Sequence, residues 1–243
     1  MATLRDEIKS GAPELSFRVG AADWRLVKIS AGSFTMGTPA SEPGRESWEL
    51  APRRFRITKP FYMGKYETTN AQYRAIMGPQ PHSTPGDEAL SFGQARYRDA
   101  LEFCSRLSEH IEVPVTLPTE AQWEYACRAG TETPYYSGST EADLQRAAWY
   151  AGNAAGTVHP SCEKEPNRWG LCDMLGNVAE PCLDYILAPD KLSETDPVGR
   201  VSPEYGCARG GSWIDTAPHC RAGYRIRTQD RLAGLGIRIV IHP

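Results

Sequence analysis

Two carboxylates, one thiol and a cluster of aromatic and cationic side chains have the types and spacing that could do chemistry in this chain. Asp173 and Glu180 flank the turn-forming run Gly176-Asn177-Val178. Two hard oxygen donors around a glycine turn, with backbone carbonyls between them, suit a structural calcium ion. The plainer reading is a pair of carboxylates that accept backbone N–H groups and stabilise the turn. Cys220 lies between His219 and Arg221, and a neighbouring cation would lower its pKa and make it a weak candidate nucleophile. A buried, inert thiol is the alternative. Asp215 and His219 offer one oxygen and one nitrogen to a non-haem metal, although two ligands rarely make a stable transition-metal site. Trp213, His219, Arg221, Tyr224, Arg225 and Arg227 have the composition of a protein-binding surface, where aromatic and arginine anchors carry most of the energy. That reading needs the fewest further assumptions. Its counterpart is a core Trp213 with arginines that merely solvate the surface.

The elements that must hold these residues are readable in part. Gly210-Gly211 precedes Ser212-Trp213, and glycine allows the close backbone approach a cleft wall requires. Arg25–Ile29 alternates like a half-buried strand; Gly32–Gly37, Phe55–Ile57 and Phe61–Met63 are further strand-like runs. Thr69-Asn70-Ala71-Gln72 and Thr119-Glu120-Ala121-Gln122 fit the capping box, and they predict helices through Ile76 and through Cys127 to a stop near Gly130. Between them Tyr97, Leu101, Cys104, Leu107 and Ile111 recur at helical spacing as one apolar face. After Gly130 loops and short strands are expected. Glu120 and Glu124, one turn apart, read as a solvated or salt-bridged face. His82, His110, His159 and His242 have no partners at ligand spacing.

Composition narrows the function classes. With 40% hydrophobic residues in 243, the chain can build a sizeable core, and 22 Gly and 19 Pro point to a loop-rich fold. A net charge of −3 with scattered Lys and Arg argues against nucleic acid. Residues 1–24 read as a polar leader that packs on or precedes a domain over 25–243, without a signal-peptide core or a membrane span. A cytoplasmic location follows as an expectation. Seven cysteines without a CxxC spacing are then expected to be mostly reduced and buried.

Eight ordered blocks carry a family resemblance. They include Ala31–Gly37, Tyr66–Tyr73, Asp99–Cys104, Leu117–Ala126, Pro166–Leu171, Asp173–Glu180, Arg209–Trp213 and Gly236–Arg238. Together they resemble the formylglycine-generating enzymes, or sulfatase-modifying factors, from about Val27 to Val240. The resemblance implies a single α+β domain of C-type-lectin-like type, rich in irregular loops. It also implies a calcium site on Asp173, the carbonyls of Gly176 and Val178, and Glu180, with Ala179-Glu180-Pro181 departing from the family's aromatic-Glu-Trp. A second family calcium site meets Trp149 here and is lost. The family's oxidases bind copper through two cysteines five residues apart, and these positions hold Asp215 and Cys220. One thiolate and a carboxylate are a poor Cu(I) set, so copper and oxidase activity are not expected. Cys127 matches a family disulfide position whose partner position is Ile239, which implies a reduced Cys127.

The resulting expectation is a binding domain, with a protein as the ligand, that contacts it through Trp213, Asp215, His219, Cys220, Arg221, Tyr224 and Arg225. Relatives of this kind include the variable proteins of diversity-generating retroelements, whose varied positions would fall on 214–219 and 226–228, and toxin-immunity proteins. The alternative is a metal-dependent oxidoreductase that acts on a peptide or small metabolite.

Overall fold

The computed structural model describes residues 3–80, 86–186, 192–202, 206–228 and 234–243, with the side chains of 227 and 228 left aside. Strands β1 (Glu14–Val19), β2 (Ala22–Ile29), β5 (Phe61–Gly64), β12 (Val240–Ile241) and β6 (Val115–Thr116) form one antiparallel sheet in the order β1-β2-β5-β12-β6. Strand alternation assigns its two faces. Tyr62, Leu26, Ile239 and Ile241 pack on one side with helices α1 (Leu4–Ser10), α2 (Asn70–Met77) and α3 (Tyr97–Ile111). Phe61, Met63 and Val240 face the other, with Trp123 and Tyr125 of α4 (Glu120–Arg128) and the hairpin β3 (Gly32–Met36) with β4 (Arg53–Ile57).

Both capping boxes form. Thr69 and Thr119 accept from the amides of Gln72 and Gln122, whose side chains reach back to the cap amides. The same device starts α5 (Glu141–Ala147) from Thr140 and Asp143, a helix in a stretch where mostly loops and short strands are expected. The boundary at residue 24 changes as well. It falls inside β2, and β1 pairs with β2 from Glu14↔Val27 to Val19↔Ala22, so the first segment is part of the main sheet.

The later half of the chain is mostly irregular. A small sheet runs β11 (Ile226–Thr228), β10 (Gly206–Arg209), β7 (Glu180–Pro181), and β8 (Asp184–Tyr185) pairs with β9 (Arg200–Val201). A disulfide joins Cys162 to Cys172, which corrects the reduced reading for these two cysteines. The ten-residue separation has no local signature. Cys104, Cys127, Cys182, Cys207 and Cys220 are free and buried.

Candidate functional site

Four buried arginines, Arg209, Arg221, Arg225 and Arg238, tie the segment from Gly210 to Arg225 and the turn from Asp173 to Glu180 to the rest of the domain. Arg209 of β10 pairs with Glu124 and donates to the carbonyls of Gly223 (3.1 Å) and Tyr224 (2.9 Å). Arg225 holds Glu120 and the Ile186 carbonyl (2.6 Å). Arg221 donates to Glu49 (2.5 Å), Glu42 (2.7 Å) and the Gly44 carbonyl (2.6 Å). Arg238 grips Glu180 through Nε and Nη2, and its Nη1 reaches the Gly64 carbonyl. Burying so many charges costs several kcal/mol per ion unless each is paired and hydrogen-bonded. The guanidinium forks meet that condition by satisfying carboxylates and backbone carbonyls together.

These contacts redistribute the residues expected at a binding surface. Arg221, Arg225 and Cys220 are buried, and the two arginines fasten loops rather than face a ligand. Trp213, Asp215, His219 and Tyr224 are half-buried, and Ile214 between them is 46% exposed. The rings of His219 and Tyr224 lie 4.7 Å apart. Gly211, at φ +70°, makes the turn possible: a Cβ there would lie 2.7 Å from the His219 carbonyl and 2.9 Å from Cys220 Sγ. Glu120 and Glu124 are likewise not solvated. Glu124 also accepts from the Gly37 amide and Arg128, and despite its burial Arg128 and Arg209 hold its carboxyl below the usual range. His159 stacks on Trp149 at 3.7 Å, with the Lys164 ammonium 3.8 Å from that ring. His82 lies outside the described residues.

The thiol offers no copper set. Burial pushes Cys220 well above the ordinary thiol range, and the Asp215 carboxylate adds to the shift. Asp215 accepts the Ser212 hydroxyl at 2.6 Å. A neutral thiol beside a carboxylate does not fit Cu(I). Among the described residues no three His, Cys, Asp or Glu side chains are arranged as a metal centre.

The calcium set fits at one end only. Asp173 accepts the Cys162 amide through Oδ2, while its Oδ1 is buried without a partner. Glu180 does not fit as a ligand: Arg238 and the Trp123 indole (2.6 Å) take both its oxygens. Glu67, missed in the sequence reading, accepts from Asn177 Nδ2 (2.7 Å) and the Val178 amide (3.0 Å). Burial pushes its pKa far up, reinforced by the Asp173 and Glu180 charges. Three carboxylates thus share one guanidinium.

Asp184 accepts the amides of Glu120 and Gly199, yet burial pushes its pKa from 3.8 to about 6. A carboxyl whose folded pKa is raised stabilises most at low pH, and that contribution is lost as pH rises through 6. Asp184 is therefore expected to add roughly 1 kcal/mol at pH 5.5 relative to pH 7.5. A higher urea midpoint at pH 5.5 and a carboxyl carbon titrating near 6 are the expected readouts; titration near 4 would contradict them.

Among the described residues no helix is long and apolar enough to cross a membrane. A family model described as the sulfatase-modifying factor enzyme 1-like domain matches residues 21–243. A formylglycine-generating enzyme of Streptomyces coelicolor is 32% identical, covering 87% of each chain. An inactive Cα-formylglycine-generating enzyme 2 of mouse is 25% identical over 87% of this chain and 81% of its own. Among solved structures, Treponema denticola variable protein 1 superposes with a TM-score of 0.83 at 25% identity, covering 95% of this chain and 99% of that one. The fold is the C-type-lectin-like α+β domain. The chain belongs to the sulfatase-modifying factor, or formylglycine-generating-enzyme, family.

Proposed function

We propose that this domain binds a protein ligand through the surface formed by Trp213, Ile214, Asp215, His219 and Tyr224, without copper-dependent cysteine oxidation. One observation carries the reading: the single thiol of the segment is buried and neutral under that surface, with a carboxylate at its side. The half-buried Tyr224 ring lies 6.0 Å from the paired Arg221 guanidinium. A loop with both ends fixed can vary its outward side chains without disturbing the core. The likeness to a variable protein supports the retroelement setting over that of an immunity protein. The 32% identity to a formylglycine-generating enzyme favours the oxidoreductase as the second reading.

A cysteine peptide bearing the sulfatase motif separates the two. With copper supplied, no aldehyde is expected above a Cys220→Ala control, and turnover above it would favour the enzyme. For binding, His219→Ala/Tyr224→Ala is expected to lose a partner that the wild-type protein retains, with its melting temperature within a few degrees. Equal retention would move the binding surface elsewhere.

A calcium ion on Asp173 and the carbonyls of Gly176 and Val178 forms the structural part of this proposal. Its support is the unpartnered Oδ1 and the three acidic side chains, Glu67, Asp173 and Glu180, buried close together there. An ion that binds only the folded state adds about 2.7 kcal/mol at a hundredfold excess over Kd. Chelation is expected to lower the melting temperature by several degrees, and Asp173→Ala to remove that response. No change on chelation, with no metal by elemental analysis, would overturn it.

A further inference from the structure

We propose that the binding surface continues onto the 42–49 segment and receives a basic peptide segment of a protein partner, with Trp48 as its aromatic anchor. This rests on the reading of the 213–224 surface given above and names its partner's chemistry. Trp48 is 52% exposed, and with Ile214 it is one of four large hydrophobic side chains exposed among the described residues. The remaining two, Val198 and Val201, lie near the β8–β9 pair. Exposed large apolar side chains on two segments that are held together mark a contact surface more readily than scattered single ones do.

The exposure of Trp48 does not come from a loose loop. Arg221 ties Glu42, Gly44 and Glu49 to its own segment, and Arg225 Nη1 donates to the Trp48 carbonyl at 3.4 Å. A Cβ on Gly44 would lie 2.8 Å from the Pro218 Cβ, so the two segments touch directly. Thr38 donates to Glu49, and the Arg45 guanidinium is committed to the carbonyls of Thr38 and Glu49. The Trp48 backbone is thus fixed to the segment that carries His219 and Tyr224, which reduces the ordering cost of binding.

Charge selects the partner. The Glu46 amide donates to Glu49 at 2.9 Å, Arg221 holds Glu49 to the 213–224 segment that carries Asp215, and the charges of Asp215, Glu46 and Glu49 all push the Tyr224 phenol up. Glu49 and Glu42 share the Arg221 guanidinium. Asp215 and Glu46 have no ion-pair partner among the described residues, and both are half-buried. Partly exposed rings on segments that also carry two carboxylates without an ion-pair partner among the described residues suit a cation. Arginine or lysine can lie over a ring while its charged end reaches a carboxylate. An acidic partner would meet repulsion at the same place, which supplies specificity.

The test is selection of a random peptide library displayed on phage against the full protein. Selected peptides are expected to carry arginine or lysine. Their affinity is expected to fall at least about tenfold with Trp48→Ala and several-fold with Glu46→Gln/Asp215→Asn. Because Trp48 is half out of the fold, Trp48→Ala should melt at the wild-type temperature. Binders that lack basic residues, or that ignore Trp48→Ala, overturn this inference; it also falls if no binder is selected. If such binders still respond to His219→Ala/Tyr224→Ala, the 213–224 surface stands without its extension. If they ignore that variant too, both readings fall.

Discussion

Arg238→Met is expected to cost the folded state about 3–5 kcal/mol, a large fraction of a typical domain's stability. The guanidinium is fully buried and makes bonds to Glu180, the Gly64 carbonyl and the carbonyls of Cys172 and Asp173. Methionine fills similar volume without charge, so the loss isolates electrostatics and hydrogen bonding from packing. Removal leaves Glu180 paired only to the Trp123 indole and brings three carboxyls together without a cation. Urea unfolding at pH 7 should show a lower midpoint. Glu180→Gln in the same chain should recover part of the loss, because it removes one stranded charge. A loss below about 1 kcal/mol would mean that Arg238 does not carry the balance of this cluster.

Asp215→Cys is expected to bind Cu(I) far more tightly than the wild-type protein does. It would set two thiols five residues apart, and the loss of the Asp215 charge would ease ionisation of Cys220. A soft ion gains a second thiolate, for an expected rise in affinity on the order of a hundredfold. Titration against a competing chelator measures it, with Asp215→Cys/Cys220→Ala as the control. If Asp215→Cys binds no better than that control, burial of Cys220 rather than the missing thiol is the barrier. Ser212 would lose its carboxylate acceptor, a cost of about 1–3 kcal/mol if its hydroxyl stays buried unpaired.

What the sequence made legible was local. Thr69 and Thr119 announce their helices because cap and capped amide lie three residues apart. Thr140 uses the same geometry with Asp in place of Gln, and that variant was passed over. The family blocks led to the fold. The buried arginines were not legible, because their partners are distant in the chain: Arg225 reaches 105 residues back to Glu120, and Arg221 reaches 172 back to Glu49. An arginine written beside tyrosine and histidine looks like a surface, and only the distant acid shows otherwise. Glu180 failed for the same reason, since its turn is local but Arg238 lies 58 residues on. Trp48 sits in a polar stretch without periodicity, so no pattern distinguished an anchored, displayed indole from a loop residue.

The position of β12 has a consequence for synthesis. Val240 and Ile241 pair with Met63 and Tyr62 on one side and with Thr116 and Val115 on the other. The last of these strands to be made is therefore the wedge between β5 and β6. The nascent chain presents β5 and β6 with facing edges open while the following hundred or so residues are translated, and open edges invite pairing with other chains. The domain cannot close its sheet one piece at a time as it emerges from the ribosome. Slowing translation would lengthen that exposed interval rather than help the fold form.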